Sequence, residues 1–519
     1  MKYYEPVDES STHSPLSTKE GLSAGPPDEE AREATTGGAD VPTALIPGRY
    51  SFIDALGIVC GIIIGSGIFS SPGVALERAG SPGLTLIAWA FAGCLVICTA
   101  SCYMELASLM PNAGGDFEYL KRAFGDRAGF SFAWFNFWIS KTGSQAIIVT
   151  IFGEYFDVLV GGSSLDSMYK GKEGSSATSK LASVTILLAI TVLNCLSVTE
   201  SKLLQNILTA SKLALVLTLF MAAIVFSLDP ETSKDTAQSL QDNLSAGSSF
   251  HGSKGFLGFC TALVACLWSF DGWADLNFMM EELKDPQTLP KIIATAVSAV
   301  TVAYILCNVA YMLLLSQEAM IGSTAIGIDF GVAMSSGSKT AFWPIFIAGG
   351  VMLSTLGSAH GSIMTGARAF YAVARDGKAP HFLSLLNRIG SPYGALVAQG
   401  TWAMVLLLMP GSNFSTLLDY FGPASWFFYA MGALSVMVLR YKEPNIHRPF
   451  RVPFYPGPPV VVICVAVGII SSSFATTPSY VGMAFCFIAL SIPFHVLFFE
   501  NNTVLHRLPQ RVWGAVRGD

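Results

Sequence analysis

Charge is what this chain of 519 residues has least of. Asp, Glu, Lys and Arg make up 13% of it, where soluble globular proteins carry roughly 25%. That is too little to cover a water-facing surface, so a water-soluble enzyme is excluded. The low charge does not leave the chain unfolded, because 52% of the residues are hydrophobic, 35 are Phe and the mean hydropathy is +0.52. A basic excess is also missing. Lys and Arg number 30 against 36 Asp and Glu, a net charge of −6, and this excludes the basic face that a nucleic-acid partner requires. No nucleophile–base pair or metal-ligand cluster recurs at usable spacing, and no Gly-rich segment is followed by Lys-Ser or Lys-Thr. Catalysis, a cofactor, a metal and a nucleotide loop are therefore not expected. Apart from His360, the histidines lie in tails, loops or near span ends. A basic-then-apolar start is absent as well, so no cleaved signal peptide is expected.

What the chain has is apolar runs of spanning length, about 20 residues each. They fall near 53–75, 83–106, 130–158, 181–197, 204–227, 256–280, 292–316, 342–370, 394–410, 414–439, 459–476 and 480–500. The expected fold is an all-α integral membrane protein of twelve transmembrane helices, spanning residues 49–500. Residues 1–48 are rich in Ser, Thr, Gly, Pro and acid and read as a disordered cytoplasmic tail, either inert or a carrier of phosphorylation sites. Residues 501–519 form a cytoplasmic C-terminal tail. Twelve spans put both termini on one side. With the N-terminus inside, sixteen Lys and Arg fall in inner loops and the C-tail and seven in outer loops, the asymmetry of a chain with both ends in the cytosol.

All ten cysteines lie in apolar segments and none in an outer loop, so no disulfide is expected. Cys94, Cys98 and Cys102 share one helix face; the spacing fits small-residue helix packing and, more remotely, a soft metal. Asn243-Leu244-Ser245 and Asn413-Phe414-Ser415 match the glycosylation sequon, the second too near the membrane to serve.

Two spans are interrupted. In the first, Gly57 to Ile64 meets Gly65-Ser66-Gly67 before Ile68-Phe69 and Pro72-Gly73. Two glycines and a serine weaken a helix where no water can repair it, although close helix packing explains the same residues. In the sixth, Trp268-Ser269-Phe270 meets Asp271-Gly272 and Trp273. A carboxylate at mid-membrane costs roughly 2.5–3.5 kcal/mol on insertion scales, so it must face a cavity or a partner. The two breaks open two five-span halves, and paired interrupted helices in corresponding positions mark the site of inverted-repeat transporters. A broken helix offers backbone N–H groups that suit a carboxylate and C=O groups that suit an ammonium. A zwitterion, an amino acid, fits both.

Gly65-Ser66-Gly67-Ile68-Phe69 followed by Ala79-Gly80-Ser81-Pro82-Gly83 resembles the light subunits of heteromeric amino acid transporters, the L-type branch of the amino acid–polyamine–organocation superfamily. The likeness runs in order through Tyr103-Met104-Glu105-Leu106, Gly114-Gly115-Asp116-Phe117, Gly272-Trp273, Leu276-Asn277-Phe278, Glu281-Glu282, Asp329-Phe330, Gly357-Ser358 and Arg448-Pro449, over roughly residues 50–500. The resemblance implies a LeuT-like inverted five-plus-five repeat with discontinuous helices 1 and 6 and two further spans. It also implies that N–H groups of Ser66 and Gly67, in the Gly65 turn, hold the substrate carboxylate. Carbonyls of Ile63, Trp268, Ser269 and Asp271, beside Gly272, would hold its amine, and Trp268 would be the gating aromatic rather than a plain core residue.

Lys212 stands alone in span five. In the resembled family a lysine here replaces the bound ion of sodium-coupled members, which points away from sodium coupling; otherwise it snorkels. Lys141 matches a basic position of the third span. An acid at Asp271 resembles the branch that carries basic amino acids and cystine, and would pair with Lys or Arg substrates; alternatively it pairs with Lys212 or caps the broken helix. His360, where relatives carry Asn, is a pocket residue that titrates or a satisfied core histidine. Ala274, where relatives carry a polar residue, is a further pocket position. The family's heavy-chain glycoprotein is usually tied by a cysteine between spans three and four, but residues 157–180 contain none, so a disulfide-linked heavy chain is not expected. The expected function is sodium-independent exchange of neutral and/or cationic amino acids across the plasma membrane by alternating access, with no cofactor. The alternatives are a proton-coupled or uniporting carrier, or an amino acid sensor that does not transport.

Overall fold

A computed structural model of the chain describes residues 48–161, 177–196, 199–227, 243, 245, 249–323, 325–335, 342–409 and 414–500, all within the unit Val41–Asp519. Most of the expected N-terminal tail, the C-terminal tail, most of the 157–180 loop and Asn413 lie outside the described residues. Among those described, every regular element is a helix; the only extended pairing is a single bridge between Tyr50 and Leu283.

In chain order the helices are α1 (Phe52–Ile63), α2 (Ser71–Ala79), α3 (Pro82–Leu109), α4 (Asp116–Phe124), α5 (Asp126–Phe135), α6 (Thr142–Gly161), α7 (Ala177–Leu196), α8 (Thr199–Ser227) and α9 (Gly255–Ser269). They continue with α10 (Leu289–Leu314), α11 (Gln317–Gly322), α12 (Ile326–Met334), α13 (Phe342–Arg375), α14 (Tyr393–Leu408), α15 (Phe414–Lys442), α16 (Gly457–Thr476) and α17 (Pro478–His495). Ten of the described helical stretches are long and apolar enough to cross a membrane, and α9 and α14 are shorter apolar helices in the places expected for spans six and nine. The chain has the expected all-α, LeuT-like architecture, with helices 1 and 6 discontinuous. Span one is α1 and α2 with the expected break between them, and span six, also expected to be interrupted, is α-helical only to Ser269. The short helices α4, α11 and α12 have no counterpart in the hydropathy reading. Six to nine residues are too few to form an apolar window, and α4 carries Asp116, Glu118, Lys121 and Arg122 in one such stretch.

The bundle is turned inside out relative to a soluble protein. Leu188, Leu213, Leu217, Met221, Val302 and Val467 stand 44–61% exposed on outer faces, whereas Asn308, Ser358, Thr365 and Gln399 are wholly buried. Lipid tails are as apolar as leucine, so helices associate through close approach of small residues and through polar bonds. Gly153 on α6 accordingly faces Ser179 and Ser183 of α7, and Gly400 on α14 faces Thr191 of α7. Two buried carboxylates tie distant segments. Glu105 on α3 accepts from Arg440 of α15 (2.9 and 2.5 Å), lies 3.2 Å from Arg448, and accepts the Val452 N–H at 2.7 Å. Glu282 is held by Arg368 of α13 and by Arg49 at 3.2 Å. The sequon at Asn243 is not a glycan acceptor in this fold: its buried amide donates to the carbonyls of Met312 (2.8 Å) and Leu315 (2.9 Å).

Around the breaks, α1 packs against α8, α10 and α13, while α9 packs against α2, α3, α15 and α16. Between α5 and α6 the span passes through a widened π-turn, Asn136–Lys141. Such turns inside α-helices recur at functional sites. This one aims Lys141 inward, where it is 7% exposed.

Candidate functional site

Helix α1 begins with a capping box, Ser51 and Asp54 each serving the other's backbone N–H. It stops where Ile64 takes φ −74° and ψ 83°. The chain resumes as a 3₁₀ turn at Gly67–Phe69 and then as α2, with Pro72 at its start. The first N–H groups of a helical segment have no intrahelical partner, and here they belong to the turn that carries Gly65, Ser66 and Gly67. In the partner span, α9 ends at Ser269. The N–H groups of Phe270 and Asp271 turn back to Leu267 and Trp268 (3.2 and 3.0 Å). Gly272 then takes φ +102°, a conformation that only glycine adopts at no cost.

The two breaks touch. A Cβ placed on Gly67 would lie 2.6 Å from Ser269 Cα, and one on Gly272 would lie 2.3 Å from Ile62 Cγ2. Between them is a cavity of about 30 Å³. Its lining includes Ile63, Gly65, Ser66, Gly67, Trp268, Ser269, Asp271 and Gly272, so all eight positions singled out at the breaks meet in one place. Trp268 lies edge-on to Phe421 with ring centroids 4.9 Å apart. Ala274 lines a second cavity beneath the first, and Lys212 and His360 line neither.

Tyr304 on α10 is the residue that sequence reasoning missed. Its hydroxyl lies 2.6 Å from the Ile63 carbonyl and 2.8 Å from that of Ser269, joining the two breaks directly. Each carbonyl oxygen has two lone pairs, so both retain a place for an ammonium donor. No local signal marks Tyr304, because it lies in an apolar span 35 residues beyond Ser269. Ser358 on α13 supports the other side, with its Oγ 2.9, 3.0 and 3.3 Å from the carbonyl oxygens of Gly61, Ile62 and Ile64.

Lys212 is 1% exposed and does not snorkel. It passes behind α1, where its ammonium donates to the Gly61 carbonyl and, at 3.0 Å, to Ser358 Oγ. The Lys212 side chain thereby braces the last turn of α1 against α13. Asp271 is bonded not to Lys212 but to the Tyr429 hydroxyl, at 2.7 Å. The charged pair inside the site is a different one. Lys141 donates to Asp275, whose other oxygen accepts from Thr365 at 2.9 Å. Asp275 follows Asp271 by four residues, so a second carboxylate so close to the break was itself a readable signal. His360 is wholly buried, its Nε2 2.8 Å from Ser201 Oγ and its Nδ1 2.8 Å from Gln205 Oε1. It is a satisfied core histidine that fastens α13 to α8. At the foot of the second cavity, Asp116 at the start of α4 accepts from the Tyr103 hydroxyl. Burial pushes its carboxyl up to about 7, against the opposing pull of that hydrogen bond.

A family model described as amino acid permease matches residues 50–513. The chain is 32% identical over 476 residues to the b(0,+)-type amino acid transporter 1 of Mus musculus, covering 90% of this chain and 91% of that protein. It is 33% identical over 429 residues to the large neutral amino acids transporter small subunit 2 of Homo sapiens, covering 81% of this chain and 74% of that one. The rabbit form of the latter, from Oryctolagus cuniculus, is 33% identical over 444 residues, 84% and 77% of the two chains. Two broken helices meet around one cavity lined by backbone of both breaks, and the chain belongs to the amino acid permease family of membrane transporters.

Proposed function

We propose that the chain is a sodium-independent amino acid exchanger of the plasma membrane, with both termini cytoplasmic, working by alternating access. The observation that carries the reading is the meeting of the two breaks at Gly67 and Ser269, with Lys212 fixed on the Gly61 carbonyl. The N–H groups of the Ser66–Gly67 turn take the substrate carboxylate. The carbonyls of Ile63, Trp268, Ser269 and Asp271 take its amine, two of them already aligned by Tyr304. Trp268 covers the bound substrate. Lys212 supplies internally the positive charge that a coupled cation would bring, which removes the need for sodium. Asp271 faces the substrate's side chain and favours cationic amino acids over neutral ones. All three relatives named above are called amino acid transporters, two of them a small subunit. Since residues 157–180 hold no cysteine, any heavy-chain partner is held without a disulfide.

The test uses purified protein in liposomes preloaded with unlabelled amino acids, with labelled leucine or arginine outside, with and without sodium. Uptake that depends on internal amino acid and is indifferent to sodium is expected. Sodium-dependent uptake overturns the assignment of Lys212, and binding without uptake favours a sensor or a missing partner subunit. A proton-coupled or uniporting carrier is the second reading, favoured by a buried ammonium whose bonds go to a carbonyl and a hydroxyl. Its mark is uptake that depends on outside pH and loses that dependence in Lys212→Ala.

A further inference from the structure

The second cavity, also about 30 Å³, lies under the first and shares Lys141, Asp271 and Asp275 with it. The pair of cavities thus runs from the Ser66–Gly67 turn down to Asp116. Two carboxylates, Asp271 and Asp275, face one ammonium, that of Lys141, with the Asp116 carboxyl at the far end. The lysine is 7% exposed, bonded to Asp275 and set 5.6 Å over the Phe278 ring. Two hydroxyls point to an absent ligand. Ser425 Oγ, on a residue 6% exposed, lines the lower cavity, and Ser362 Oγ, on a residue 2% exposed, lines the upper one. Neither has a hydrogen-bond partner among the described residues. Buried hydroxyls are ordinarily bonded, and buried carboxylates are ordinarily matched by cations. This compartment is short of both.

We infer that Lys141 is a tethered stand-in for the cationic end of the substrate's side chain, and that the Lys141–Asp275 pair sets the preference for cationic over neutral amino acids. Each cavity has room for about one water beside the lysine. A guanidinium or ammonium at the end of a substrate side chain therefore enters as Lys141 swings off Asp275, and Ser425 and Ser362 accept its remaining N–H groups. The ligand class is an amino acid with one extra positive charge, such as arginine, lysine or ornithine. The inference rests on the reading of Asp271 as the residue that meets the substrate side chain.

The test counts charge. The reconstituted full-length protein is assayed for the ratio of half-saturating arginine to leucine concentrations in wild type, Lys141→Met, Asp275→Asn, the double variant Lys141→Met/Asp275→Asn, and Asp271→Asn. Removing the lysine should shift the ratio toward arginine by about tenfold, and removing the carboxylate should shift it away by about as much. The double variant, with the original net charge, should return to within about threefold of wild type. Purely structural roles would lower uptake of both substrates together and leave the ratio where it was. Should Lys141→Met fail to fold with Asp275 unpaired, Ser425→Asp adds a carboxylate without breaking a bond and should shift the ratio toward arginine. A ratio unmoved in the Lys141, Asp275 and Ser425 variants overturns the inference while a selective loss of arginine in Asp271→Asn leaves the reading of Asp271 standing. Equal loss of both substrates in Asp271→Asn overturns both.

Discussion

Substituting Gly67 by alanine tests whether contact between the two breaks is what makes the site. The added Cβ would stand 2.6 Å from Ser269 Cα, 2.7 Å from its Oγ and 2.8 Å from its Cβ. Ordinary contact begins near 3.4 Å, so the breaks must separate by roughly 1 Å, and one of the obstructing atoms is backbone that cannot rotate away. Overpacking of this kind costs typically 1–3 kcal/mol. The separation also stretches the Tyr304 bridge, whose arms of 2.6 and 2.8 Å have about half an ångström to give before they cease to be hydrogen bonds. Exchange of labelled leucine in liposomes, normalised to inserted protein, is expected to fall more than tenfold. Gly349→Ala is the control, since a Cβ there meets nothing within 4 Å, and it should exchange normally. In Gly67→Ala/Ser269→Gly the Oγ and Cβ obstructions go but the Cα remains, so rescue should be partial. Full exchange in Gly67→Ala, or complete rescue by Ser269→Gly, would refute the close approach of the two backbones.

Four further outcomes are expected. Asp271→Gly should lower uptake of arginine far more than that of leucine, as read from paired uptake curves; equal loss would leave Asp271 a structural partner of Tyr429. Ser66→Pro removes an N–H and fixes φ, so it should abolish exchange while membrane insertion, measured by surface labelling, persists. Glu105→Ala leaves Arg440 and Arg448 facing a vacated carboxylate, and breaking a buried pair this way costs about 3–5 kcal/mol; thermal unfolding in detergent should show a melting temperature lowered by several degrees. Asp116, whose value is about 7 folded against 3.8 in the unfolded chain, makes the native state hold the extra proton between those limits, so stability falls as pH rises from about 4 to about 7. The protein should therefore melt higher at pH 5.5 than at pH 8, and Asp116→Asn should lessen that difference.

The parts of this molecule legible in the sequence are those that write themselves locally. A run of 20 apolar residues has one stable solution in lipid, so the spans could be placed, and Gly65-Ser66-Gly67 and Asp271-Gly272 could be read as breaks because each offends the helix within five residues. What stayed hidden depends on which break faces which helix. Tyr304 is a mid-span tyrosine like Tyr311 until the fold lays its hydroxyl between the Ile63 and Ser269 carbonyls. Lys141 was visible as a charge in a span, but its partner was not, since Asp275 lies 134 residues away and the π-turn that rotates the lysine inward has no signature in composition. His360 illustrates the converse. Its titratable side chain beside a Gly-Ser motif made it a pocket candidate, yet Ser201 and Gln205 from α8 take up both ring nitrogens. The same geometry explains why three basic residues in the spans do different work. Lys212 supports the back of the broken helix, Arg368 neutralises Glu282, and of the three only Lys141 lines the cavity between the breaks. On the inference drawn above, the chain keeps its own cation beside Asp271 and Asp275, and its selectivity would then turn on how far a single lysine side chain can swing.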